Sequence, residues 1–411
     1  MAGGLSYLAG KDWLTTQWNE SDKPARWFAA ARLEPGNARI WEHLALYSRW
    51  NLEQRNLAKA ICDLQRATES DPRDARLWME LAAANEENGD SSAAAQNYEM
   101  AQRDFPISAD VAWRYGSFLL RQRNLPEGFA ELRRALVNDP SLEASAISEC
   151  WAADPDASAI ANRLLPRKTD YYIRAINYFV SRKQTDAAVV TWRRLLTLHQ
   201  RVAIDDAAGL VDDLIGENRV GEAERAWKEA LQQGGGQDEA EAGGSLIFNG
   251  GFERDFVNGG FDWRELPVRG ASYDFDSGVV HSGRRSLRIT FDGSANVNFQ
   301  DIYEYVPAVP RRRYHFVAYV RTAGISTDSG IGFEIFDPRH PQEVQALTRG
   351  FVGTNAWTQV HADVETGPDT QLLEILLRRT PSTKFDNELR GVAWIDDVSL
   401  IPIMNTATAS K

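Results

Sequence analysis

Ala67-Thr-Glu-Ser-Asp-Pro72, Ala101-Gln-Arg-Asp-Phe-Pro106 and Ala135-Leu-Val-Asn-Asp-Pro140 each set an alanine five places before a proline, and the prolines stand 34 residues apart. A fixed period of that length belongs to stacked helix–turn–helix units, each of which buries its apolar face only against its neighbours. The stretch therefore reads as an array that presents an extended binding surface, rather than as one globular core around a catalytic cleft.

The other positions of the period keep the same register. Trp41, Trp78 and Ala112 occupy the fourth place of successive units, Leu44, Leu81 and Tyr115 the seventh, and Ala45, Ala82 and Gly116 the eighth. Small residues at the eighth place let two helices approach closely. Ala60, Ala94 and Gly128 do the same in the second helix of each unit, and Leu64, Tyr98 and Leu132, four residues on, fill the groove between units. Three extra residues within Leu52 to Asn56 account for the longer step from Pro35 to Pro72.

This pattern resembles the tetratricopeptide repeat family, whose fold is an α-solenoid with a groove for a protein partner. Relatives that grip a carboxylate-terminated peptide place lysine or asparagine at the fifth and ninth positions. Here those positions are Glu42, Met79 and Trp113, then Leu46, Ala83 and Ser117, so no such clamp is expected. Leu46, Met79 and Trp113 are the groove candidates instead, suited to an apolar or helical partner segment.

Weaker units flank the three. Lys23 to Pro35 reads as a lone second helix, and Ser141 to Pro166 as a compressed helix pair. Tyr172, Ala175, Ile176, Phe179, Ala188 and Trp192 keep the spacing, as do Ala207, Leu210, Val211, Leu214, Ala223 and Trp227. The expected solenoid spans 23–233, about a dozen helices, after an extension over 1–22.

Gln232 to Gly244 (QQGGGQDEAEAGG) has no apolar residue larger than alanine and reads as a flexible linker over 234–244. Beyond it the apolar period changes to alternation. Leu287, Ile289 and Phe291 alternate with Ser286, Arg288 and Thr290, and similar short runs cover 314–321, 331–336, 372–378 and 392–400. Residues 245–403 are expected to form an all-β sandwich or jelly roll with a tail over 404–411, which makes the whole a multidomain α and β protein.

A chain of 411 residues with 43% hydrophobic content has enough for more than one core. Its net charge of −12 is spread over both halves, so no basic field suits nucleic acid. Cys62 and Cys150 fall on helices too far apart for a disulfide. No apolar stretch reaches the length of a membrane span, and Met1 to Gly10 shows no secretory signal. The piece GGLSYLAG is read as the tail of an anchor absent from this chain. The six histidines are scattered, with no HExxH pair, GxSxG elbow or phosphate-cradling glycine loop, and no enzyme activity is expected.

Four pieces of the β region occur in order: Leu246 to Glu253 (LIFNGGFE), Gly260 to Trp263 (GFDW), His281 to Leu287 (HSGRRSL) and Trp394 to Leu400 (WIDDVSL). Together they resemble the carbohydrate-binding module superfamily of families four, nine and twenty-two, a galactose-binding-like jelly roll. On the last strand a period of two places Trp394, Asp396, Val398 and Leu400 on one inward face. A carboxylate buried there must be paired, hydrogen-bonded or bound to a metal. In the resembling modules the matching groups hold a structural calcium ion, which nominates Glu253, Ser282, Gly283 and Asp396, with Asp397 as a lesser candidate. The bland alternative is that Asp396 bonds backbone amides or an arginine.

Modules of this kind stack pyranose rings on aromatic side chains. Of Trp263, Tyr273, Tyr303, Tyr305, Tyr319 and Trp357, the glycan candidates are Tyr303, Tyr305 and Trp357, while Trp263 is read as packing under the first turn and Trp394 as core. The expected function is a non-enzymatic adaptor, the repeats binding a protein partner and the jelly roll a glycan, in bacterial cell-envelope or polysaccharide assembly. An envelope or periplasmic location follows from that reading, with the cytoplasm left open. The alternative is a purely structural interaction module whose jelly roll binds no sugar.

Overall fold

The structure, a computed structural model, describes residues 11–234 and 244–403 except 19, 21, 22 and 54. The expected amino-terminal anchor remnant, the body of the acid-glycine linker and the tail from 404 lie outside the described residues. The chain divides into two compact units, one up to Arg167 and one from Lys168 onward.

The first unit is all-α. Helices α1 (11–18), α2 (Pro24–Leu33), α3 (Ala38–Trp50), α4 (Leu57–Ser70), α5 (Ala75–Glu87), α6 (Ser91–Asp104), α7 (Ala109–Arg121) and α8 (Leu125–Asn138) follow one another through short turns. The polar residue before a helix often closes its first turn. Asn56, Asp74, Asp90 and Ser108 accept from Lys59, Arg76, Ala93 and Val111 N–H respectively. The proline period has a further reason visible here: Trp41 Nε1 donates to the Pro35 carbonyl at 2.7 Å and Trp78 Nε1 to that of Pro72 at 2.9 Å. In the first two units the fourth-place tryptophan thus ties the first helix to the turn before it.

Close approach at the eighth place is equally concrete. A Cβ on Gly116 would lie 2.9 Å from Leu132 Cγ and 3.0 Å from the Leu132 backbone nitrogen, so α7 and α8 touch through bare backbone. After α8 the period breaks into a 3-10 turn at Pro140–Leu142, α9 (Glu143–Ala153), a short α10 (Ala157–Ala159) and a π-turn at Ile160–Leu164, the compressed pair read from the sequence.

The second unit begins with two helical hairpins, α11 (Thr169–Ser181) with α12 (Thr185–Leu196) and α13 (Ile204–Gly216) with α14 (Val220–Gly234). It continues into a sandwich of two antiparallel sheets. Sheet A has the order β1-β4-β9-β6-β7 and sheet B the order β2-β3-β10-β5-β8. Their strands are β1 (Arg264–Glu265), β2 (Ala271–Asp276), β3 (Ser286–Asp292), β4 (Ile302–Pro307), β5 (Arg313–Ile325), β6 (Gly332–Phe336), β7 (Gln345–Leu347), β8 (Gly353–Glu365), β9 (Leu372–Arg378) and β10 (Arg390–Pro402). Alternation supplies the core, with Leu287, Ile289, Phe316, Phe333, Ile375 and Ile395 among its fully buried members.

Helices α13 and α14 pack on the sandwich. The Trp227 ring meets Phe248 and Phe261 edge to face, and a Cβ on Gly260, where φ is +62°, would lie 2.2 Å from the Trp227 ring. Asp212 accepts from the Gly260 N–H and pairs with Arg264. Arg339 donates to the Ile215 carbonyl that ends α13. By compactness, then, the last two hairpins group with the sandwich, although their sequence pattern is that of the repeats.

One reading of the β region is corrected. The register of β10 against β5 slips between Asp396 and Ser399, and Asp397 has φ +49°. This bulge inserts a residue and reverses the side-chain parity. Ala393, Ile395, Val398 and Leu400 face the core, while Trp394 lies half-buried on the outer face, donating Nε1 to Asp276 and packing under Arg321. Trp394 is therefore not core.

Candidate functional site

The first unit holds an open cavity of about 600 Å³, lined by side chains of α3, α5, α6, α7 and α9. Its walls are charged. Arg49 bonds Glu80 and Glu87, Arg114 bonds Glu80, and Arg121 takes both oxygens of Glu86. These pairs join first helices of successive units, 31 to 38 residues apart in sequence. Burial comes first among the influences on Arg114 and pulls its pKa down, but Asp110 and Glu80 outweigh it and the group stays cationic. Trp50, 61% exposed, and the half-buried Trp113 supply the apolar surface.

Of the three expected groove residues, Trp113 lines this cavity. Met79 does not. It is 5% exposed and packs in the core with Ala82, Ala94, Tyr98 and Phe118, because the fifth place of its helix turns inward. Leu46 is half-buried and lies outside the cavity lining. No local pattern in the sequence announces the arginines, because their partners sit a full repeat away.

On the sandwich, the register places two rows of side chains across the outer face of sheet A. One runs Arg264, Tyr303, Leu376, Glu334 and Leu347, and the next Tyr305, Glu374, Phe336 and Gln345. Tyr303 and Tyr305 stand 5.5 Å apart, ring to ring, and the Arg264 guanidinium lies over both. Arg264 is held by Asp212 and the Gly260 carbonyl. Glu334 accepts from Gln345 and pairs with Arg378 at 3.3 Å.

Among the described residues the Glu374 side chain has neither a hydrogen bond nor an ion pair, and burial pushes its carboxyl up to about 7, with Glu334 adding to the rise against Arg264. Burial likewise pushes Tyr305 up to about 12. The sequence held one sign of this acid, a single charge inside the apolar run Leu372 to Leu377.

Trp357, the third glycan candidate, is on the other sheet. It sits in an irregularity of β8 and meets the His281 ring edge to face, while His281 stacks on Tyr319 at 3.7 Å. Tyr303 and Tyr305 are thus one site, and Trp357 is not part of it. Trp263 is fully buried, as read from the sequence.

Glu253, Ser282, Gly283, Asp396 and Asp397 do gather where the His281–Leu287 turn meets β10, but through N–H and O–H donors. Asp396 is fully buried, and its carboxylate accepts from the backbone N–H of His281, Ser282 and Asp397. Asp397 accepts from Ser282 Oγ and lies 2.5 Å from His281 Nδ1. Glu253 accepts from Arg284 N–H and its guanidinium, and from Arg285 N–H. Burial pushes the Asp396 carboxyl up to about 6, against the pull of those amides.

Each of the six carboxylate oxygens is already met by a hydrogen donor, and among the described residues no three His, Cys, Asp or Glu side chains converge as metal ligands. In this arrangement the set does not fit calcium. It fits the amide-bonded alternative.

Residues 51–106 and 86–143 match the tetratricopeptide repeat family model. The chain carries tetratricopeptide repeats there, a protein-interaction scaffold, and an all-β sandwich follows. No curated protein matches the chain. Among solved structures, it is similar to MamA at 14% identity, covering 50% of this chain and 95% of that one, TM-score 0.25. Pseudomonas aeruginosa PilF shares 22% identity over 49% of this chain and 78% of its own, TM-score 0.25. For the β region, the CBM22-1 xylan-binding domain of Paenibacillus barcinonensis Xyn10C shares 13% identity over 34% of this chain and 85% of its own, TM-score 0.25.

Proposed function

We propose that the protein is a non-catalytic adaptor, its repeats holding a partner protein and its sandwich holding a glycan on the outer face of sheet A. The observation that carries the glycan half is the pair of rows just described, which set two tyrosines beside an unpaired carboxylate. A pyranose has apolar faces and a polar rim, and such a surface offers a match to both. The repeat cavity, with Trp50 and Trp113 between arginine–glutamate pairs, suits a segment that carries both charges around one apolar anchor. Against hydrolysis stands the state of the acids: Glu334 is tied to Arg378 and Gln345, which leaves Glu374 without the second free carboxylate that glycoside cleavage uses. A bacterial cell envelope or polysaccharide assembly system is the setting that uses both activities.

The test is a polysaccharide panel titrated against the full chain and its Tyr305→Ala variant. Saturable binding by the parent, weakened roughly tenfold in the variant, is expected. A folded chain that binds no glycan would sink the glycan half and leave the sandwich as a protein-interaction module.

A further inference from the structure

We infer that the outer face of sheet A selects glycans with free amino groups, de-N-acetylated hexosamine units, whose ammonium group is received by Glu374. The inference rests on the glycan reading above and names the sugar chemistry.

It follows from the charges on that face. Arg264 pairs with Asp212, and Arg378 with Glu334, while among the described residues the carboxyl of Glu374, on the same two rows, makes no ion pair and feels Arg264 only at longer range. That group stands directly across the β4–β9 pair from Tyr305 and across β9–β6 from Phe336. Side chains facing each other across antiparallel strands lie about 5 Å apart. This is within the reach of one sugar ring, so a unit lying on Tyr305 carries its ring substituents to Glu374.

A uronate would bring a second anion against an unneutralised one. An N-acetylated unit would leave the carboxylate with only a neutral amide N–H. An ammonium supplies both the charge and the donors. Burial holds the Glu374 acid at about 7, and a neighbouring cation draws it back towards the ordinary carboxylate range. Binding below neutral pH, where the sugar already carries its ammonium, is therefore accompanied by a proton passing from Glu374 to the buffer.

The experiment is calorimetric titration of the full chain at pH 6, where the amino sugar arrives mainly as the ammonium and Glu374 mainly as the acid, with the glucosamine hexamer, the N-acetylglucosamine hexamer and cellohexaose, each in two buffers of different ionisation enthalpy. The glucosamine hexamer is expected to bind about tenfold or more tightly than the other two, with proton release. In Glu374→Gln the preference should fall to within about twofold and the buffer dependence should fade. Tyr305→Ala should weaken the glucosamine hexamer as well, which attraction to the chain's net negative charge would not produce. If cellohexaose or the acetylated hexamer binds as tightly as the amino sugar, this inference fails and the glycan reading stands. If the folded chain binds none of the three and no member of the wider panel, both fail together.

Discussion

Asp212 on α13 accepts the Gly260 N–H at 2.9 Å, and the same oxygen takes the Arg264 guanidinium. One helix carboxylate thus holds both the turn and the first strand of the sandwich. Arg264 is 8% exposed, so Asp212→Ala leaves a buried cation without its counter-charge, at an expected cost of about 2 kcal/mol, the partner being half-exposed. Gly260→Ala is harsher. Its left-handed backbone disfavours any side chain, and the added methyl meets the Trp227 ring, for a loss of about 3 kcal/mol or more. Urea denaturation checks both. Unchanged midpoints would mean that α13 and α14 do not rest on the sandwich as described.

Three buried acids shape the response to pH. Burial raises Asp262 to about 7, Asp396 to about 6 and Glu304 well above the ordinary range. The folded state keeps protons that the unfolded chain releases near pH ~4. Their contribution to stability is therefore complete below that value, and for Asp262 and Asp396 it is lost as pH rises through about 7. Asp276, held low first by its bond from Trp394, and Asp363, held low first by His315, act in the opposite sense. Their contribution is present above pH ~4 and lost in stronger acid. Melting temperature should decline from pH 5 to pH 8, and Asp262→Asn, which keeps an acceptor for the Val257 amide, should flatten the decline. Parallel profiles for parent and variant would contradict this.

What the sequence revealed, and what it hid, divides along contact range. The 34-residue period exposes the repeats because it encodes contacts between neighbouring units, and Trp41 and Trp78 lie where the turn carbonyls need them. The strands are legible wherever alternation is unbroken, as at Leu287, Ile289 and Phe291. Alternation misleads at β10, since a one-residue bulge at Asp396 and Asp397 moves Trp394 to the opposite face. Glu374 and Arg264 matter through partners on other strands or on α13, and no local pattern announces such pairings. Met79 was misplaced because a position number within a repeat does not say which way a particular side chain turns.

Glycine substitutions separate close packing from mere helix propensity. At Gly116 an alanine Cβ meets the Leu132 backbone nitrogen at 3.0 Å and the Gly128 carbonyl at 3.1 Å, neither of which can move aside. Gly209, inside α13, offers its Cβ only an ordinary contact with Asn177 at 3.5 Å. Gly209→Ala is expected to stabilise by about 0.5–1 kcal/mol. Gly116→Ala should destabilise by about 1–2 kcal/mol despite the same gain in propensity. Thermal melts of the two variants are the measurement, and equal shifts of one sign would show that α7 and α8 are not in backbone contact.

The turn at His281 and Ser282 depends on Asp396 as an acceptor, and that dependence distinguishes amide bonding from metal binding. Asp396→Ala strips three backbone N–H groups of their partner in a fully buried place, which is expected to cost about 3 kcal/mol. Asp396→Asn keeps one acceptor oxygen but turns a donor towards the amides, so it should recover only part of that loss. Calcium and chelator should leave the parent's melting temperature where it is, since a cation at this position would have to displace N–H groups that already point at the carboxylate. A calcium-dependent rise in melting temperature that disappears in Asp396→Ala and Glu253→Ala would show instead that the turn rearranges around a bound ion, and would restore the metal set drawn from the family resemblance.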